Sequence, residues 1–228
     1  MTTSKRGHAI NGDLFTISHG NDAGPGEDLD LDAPFTTFID VSFRGLTHQA
    51  FAAADRSAFS YANASGEFTV GDFSGYIVES LDHVETQVSH RYQALVDTPH
   101  GVLSSHSYDS VPGLLALIGA LRPQATRLGV TLDPDDEVEY STAPRVAMQL
   151  EIGVVELTPL TAEVIDELPT WQGTAVAGGE LYAGRFTDTA SYLTLVTPTC
   201  RVLAMPGPDV NEDVVVGVLA NLNATWQA

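Results

Sequence analysis

The chain has 228 residues, 43% of them hydrophobic, and carries a formal charge of −20 from 30 acidic and 10 basic side chains. That length and apolar content suffice to bury a core, which excludes a disordered chain. The acid excess repels phosphate and excludes a nucleic-acid face built on a basic patch.

Residues 1–33 are rich in Gly, Asp and Ser, with acids packed between Asn21 and Pro34, and read as an acidic arm ahead of a single domain over 34–228. Few apolar anchors lie in the arm, and their burial cannot easily offset ordering it at roughly 1 to 2 kcal/mol of backbone entropy per residue. Leu14, Phe15 and Ile17 are therefore expected to dock on an adjacent chain. Phe35–Phe43 alternates and predicts a strand. Two more strands follow between Ser57 and Phe73, linked around Asn63–Gly66. From Ser80, Leu81, Val84, Val88, Tyr92 and Leu95 recur at three and four residues and predict a helix ended by Asp97-Thr98-Pro99, although Val84, Val88 and Tyr92 also fit a strand.

Ser110 predicts an N-cap, with Pro112 in the first turn of a buried helix kinked at Pro123. Residues 133–144 form an acidic loop and the best internal boundary. Residues 145–157 predict a strand, and 158–169 a short helix capped by Thr158 with Pro159 at its first position. Residues 174–205 predict two or three strands. Asp209 and Glu212 form a capping box for a C-terminal helix over 209–226, with Val214, Val218, Leu222 and Trp226 on one face. No internal repeat is visible. The sum is an α+β fold: a mixed or antiparallel sheet, its strands early and late in the chain, packed with about four helices.

Candidate chemistry centres on His83–His106, which holds four of the seven histidines. On a helix His83 and His90 share a face but lie about 10 Å apart along the axis, too far to hold one metal together. His90, Asp97, His100 and His106 remain as an alternative set, meeting across the turn as metal ligands or as a base with its orienting carboxylate. His83-Val84-Glu85 matches the His-x-Glu of zinc deaminases, but the Pro-Cys-x-x-Cys that completes their zinc shell is missing. Cys200 is the one cysteine, so neither an intrachain disulfide nor a cysteine-rich zinc site exists, and it is expected to be a small buried hydrophobe. Ser74 in Gly71–Gly75 lacks the Gly-x-Ser-x-Gly elbow, and no phosphate-binding glycine motif is present. The acidic runs lack a calcium-loop register and read as solvated surface that attracts cations loosely. No cofactor and no dedicated metal are expected.

Lys5 is the one lysine. Losing lysine while keeping carboxylates suits molar salt, where long apolar stems promote association and screened carboxylates keep the particle hydrated. A GC-rich genome is the competing explanation. No stretch approaches about 18 consecutive apolar residues, and residues 1–11 lack a signal-peptide core. The expectation is a soluble, non-catalytic, assembly-forming structural protein adapted to high salt. It would pack against copies of itself or other structural subunits, in a virion (as a capsid or tail component of a virus infecting a halophile) or in the cytoplasm. The alternatives are a metal-dependent enzyme using the histidine stretch and a small-molecule-binding or regulatory domain.

Overall fold

The computed structural model describes residues 3–20, 29–54, 56–59, 64–84, 87–107, 110–187 and 191–228. Strands take 57% of the described residues and helical turns 14%, which overturns the α+β expectation of a sheet packed with about four helices. The chain forms two compact units. A middle unit comprises His8–Gly12 and Thr36–Pro144, and a terminal unit comprises Met1–Gly7, Asp13–Phe35 and Arg145–Ala228.

β1 (Thr3–His8) and β2 (Leu14–His19) are strands of the terminal unit. The middle unit begins as β3 (Phe35–Phe43) turns into β4 (Leu46–Ala53) through Arg44 (φ 53) and Gly45 (φ 77). Two positive φ values in succession match the right-handed twist of the paired strands. A 3-10 turn at Arg56–Ala58 leads to an antiparallel meander of β5 (Ala64–Val70), β6 (Phe73–Val84), β7 (Gln87–Thr98) and β8 (Gly101–Ser107). Because β8 pairs with β4, the strand order is β5-β6-β7-β8-β4-β3. The helix expected over 80–96 is therefore two strands. Positions 88 and 92, four apart on β7, serve a period of two as well as one of 3.6, while the register Val84–Gln87 puts position 84 on the other face.

Next comes α1 (Val111–Leu121), where the Ser110 hydroxyl caps the Gly113 N–H at 3.2 Å, as expected. Its buried Leu114, Leu117, Ile118 and Leu121 pack with Ile39, Val41, Val96 and Leu103 from the sheet. The helix does not kink at Pro123. It stops at Arg122 in the left-handed region (φ 42), and Pro123 opens β9 (Pro123–Thr126), which pairs with β10 (Gly129–Leu132). β11 (Val138–Tyr140) pairs with β3.

In the terminal unit β12 (Arg145–Leu150) and β13 (Gly153–Pro159) form a hairpin. Thr158 and Pro159 end β13 instead of starting a helix; α2 (Ala162–Asp166) is capped by Thr161. A second meander of β14 (Thr174–Val176), β15 (Gly179–Arg185), β16 (Ser191–Val196) and β17 (Cys200–Pro206) returns to β13, giving the order β14-β15-β16-β17-β13-β12. The C-terminal helix is short: α3 (Glu212–Ala220), capped by Asn211, gives way to β18 (Leu222–Gln227). Leu222, Ala224 and Trp226 are buried, and again a spacing of four had concealed a period of two. β18 pairs along its whole length with β2, and the Trp226 indole donates to the Asp13 carboxylate at 2.8 Å.

The two units share one plan, contrary to the expectation of no repeat. Each has a hairpin, a helical turn, a four-stranded meander whose last strand pairs with the hairpin's second strand, then a helix and a further strand. Register agrees throughout. Thr69 faces Ser74 as Ala175 faces Glu180, Gly75 faces Val96 as Leu181 faces Leu195, and Ala52 faces Leu103 as Leu157 faces Val202. The helices bury matching positions, Leu114, Leu117 and Ile118 in α1 and Val215, Val218 and Leu219 in α3.

Candidate functional site

The histidine stretch spans β6, β7, β8 and their connections. Glu85 lies outside the described residues. His90 on β7 pairs in register with Leu81, His106 on β8 pairs with Gln93, and His100 sits exposed in the turn between those strands. Strand alternation sends His90 and Gln93 to opposite faces, so His90 and His106 point away from each other. Asp97 shares the face of His106, but the rungs Asp97–Val102 and Gln93–His106 are four residues apart, about 13 Å along the strand. The four residues therefore do not meet. The Nδ1 of His90 bonds the Glu79 carboxylate at 2.6 Å, and its ring stacks on Tyr92. This is a half-exposed cross-strand pair of small energetic weight. Among the described residues no three His, Cys, Asp or Glu side chains converge as metal ligands.

An open groove of about 290 Å³ lies over β5, β6 and β7, lined by Glu67, Thr69, Ser74, Tyr76 and Asp97 around Gly75. Its lining offers carboxylates and hydroxyls. In the terminal unit the positions matching Gly75 and Asp97 are Leu181 and Val196. A side chain does not fit at position 75, where an added Cβ would lie 2.0 Å from the Leu95 carbonyl oxygen.

Arg145, Glu156 and Arg201 form the charged cluster of the terminal unit. Burial pushes the Glu156 carboxyl above its ordinary value, with Arg145 and Arg201 pulling the other way. Arg201 also bonds the Glu167 carboxylate at 2.8 Å. Burial likewise raises the Cys200 thiol, against hydrogen bonds from Thr197 and Thr199, and a protonated buried thiol is a poor nucleophile.

Phe15 and Ile17 are fully buried within the chain. Phe15 meets Phe35 edge-on at 5.0 Å, and both rings lie so close to Gly7 that a Cβ there would approach them to 2.6 Å. Leu14 is half-buried at the strand end. β18, an intrachain strand, gives β2 hydrogen bonds and apolar surface of the kind expected from an adjacent chain.

Sequence reasoning missed the free edge of β14. Among the described residues β14 pairs with β15 alone, and Thr174 and Ala175 are exposed. Leu168–Gly179 holds no charged residue, and Trp171 just before the strand is 62% exposed. Natural sheets commonly blunt such edges with charge, proline or bulges. The matching edge of the middle unit, β5, has Glu67 and a register shift between Ala64 and Gly66. The neutral window was visible in the sequence, but only the strand order makes it an edge.

Comparison with protein-family models, characterised proteins and solved structures yields no match.

Proposed function

We propose that the chain is a non-catalytic structural subunit that works by assembling in concentrated salt, as a capsid or tail component of a virus infecting a halophile. The observation that carries the reading is the uncharged, exposed edge of β14 with Trp171 beside it, in a chain of formal charge −20. A solvated acidic surface keeps molecules apart, and a contact free of charge is where they approach. The setting in concentrated salt is supported by the near-absence of lysine beside abundant carboxylates. The experiment is particle size by light scattering over a concentration series in about 2 to 3 M salt, where the long-range repulsion is screened. Growth of the particle with concentration supports the reading, and a monomer throughout overturns it.

A further inference from the structure

We infer that β14 pairs with β14 of a second copy of this chain, antiparallel about a two-fold axis at Ala175. The inference rests on the assembly reading and specifies its contact.

The backbone of the edge is oriented for this pairing. Val176 and Gly179 close the two-residue turn Ala177-Gly178, and the closing pair of such a hairpin exchanges hydrogen bonds. Antiparallel alternation then turns the N–H and C=O of Ala175 away from β15. Two copies related at Ala175 exchange two hydrogen bonds between those groups.

Charge selects the occupant. In a two-fold contact every side chain meets images of its own segment, so a charged edge repels itself. Leu168–Gly179 has no charge to repel. A cationic partner would instead be drawn to the carboxylates that crowd the rest of the sequence. The partner that gains most from a neutral contact is one with the same strongly negative charge, and a second copy has that charge by construction.

Trp171 stands just before the strand, 62% exposed and uncharged, and a second copy added to this edge would cover apolar surface there that is open to solvent in the single chain.

The test is sedimentation equilibrium in about 2 M salt, where charge repulsion is short-ranged, on the wild type, Ala175→Pro and Trp171→Ala. Proline removes the outward N–H of Ala175 and leaves the ladder to β15 intact, as edge prolines do. The expected wild type is a dimer. Ala175→Pro weakens self-association at least about a hundredfold, and Trp171→Ala about tenfold, with thermal melting close to wild type. If both variants self-associate as tightly as wild type, the β14 contact is overturned while the assembly reading stands. If the wild type is a monomer up to roughly millimolar concentration, a Kd scale that leaves little binding free energy, both are overturned. Should Ala175→Pro fail to fold, Trp171→Ala decides alone.

Discussion

Thr98 and Thr197 hold the same place in the two units and make the same hydrogen bonds. The Thr98 hydroxyl donates to the Gly101 carbonyl at 2.8 Å and accepts from the His100 N–H at 3.3 Å; the Thr197 hydroxyl donates to the Cys200 carbonyl at 3.1 Å and accepts from the Thr199 N–H at 3.3 Å. Each is followed by proline, whose fixed φ suits the first central position of the turn. Repetition of both the residues and their bonds ties the shared topology to shared local chemistry.

These threonines are expected to differ in energetic weight. Thr98 is half-buried and its loss to alanine should cost about 1 kcal/mol. Thr197 is 3% exposed and also accepts the Cys200 N–H, so Thr197→Ala should cost roughly 1 to 3 kcal/mol. Denaturant midpoints for the alanine and serine variants measure this, and serine should recover most of the loss at both positions. Equal effects at the two sites would contradict the burial argument.

Phe15→Ala should destabilise the protein by about 3 to 5 kcal/mol, the usual cost of emptying a buried phenylalanine site. Association should survive in the folded fraction, because Phe15 packs within its own unit. A stable variant that no longer associates would return Phe15 to an interface.

Glu156 predicts a pH dependence of definite sign. Burial holds its folded pKa above the ordinary value of 4.5, so folding favours the protonated carboxyl. The linked stability is smallest at pH above the folded pKa and grows as pH falls through it toward the unfolded value. Glu156→Gln mimics the neutral acid and should be at least as stable as wild type near neutral pH. Its advantage should shrink as pH falls toward about 5. Paired denaturation curves at the two pH values check this, and a pH-independent difference would refute the assignment.

Salt should stabilise the fold well beyond ordinary ionic strength. With a formal charge of −20, self-repulsion is screened as the Debye length falls from about 30 Å at 0.01 M to about 3 Å at 1 M. Tm is expected to rise with KCl into the molar range. Equal Tm at about 0.1 M and about 2 M would remove the argument for a high-salt setting.

Where side chains alternate strictly, as in Phe35–Phe43, or where a cap stands directly before an apolar run, as at Ser110, the sequence reveals the element. It misleads where apolar residues fall four apart, as at Val88 and Tyr92, or at Val214, Val218, Leu222 and Trp226. Helix and strand then predict the same buried face, and tertiary pairing decides. The repeat left a visible trace in Asp97-Thr98-Pro99 and Val196-Thr197-Pro198, but its main content is register between strands, which residue identity does not encode. Of the candidate sites, the histidine set failed for a related reason. Histidines clustered along a chain disperse once that chain alternates between two faces of a sheet.

The pairing of β2 with β18 brings Leu14 beside Gln227. During synthesis the strand that shelters Phe15 and Ile17 is made about two hundred residues after them. The middle unit's sheet, from β3 to β8, is complete more than a hundred residues earlier and is free to close first. Phe15 and Ile17 must wait, exposed, until β18 is made. Sequence separation of this kind slows folding and lengthens exposure to aggregation. The acidic residues between Asp22 and Asp32, immediately after β2, supply charge to keep the waiting strand in solution, a gatekeeping role that ends when β18 arrives.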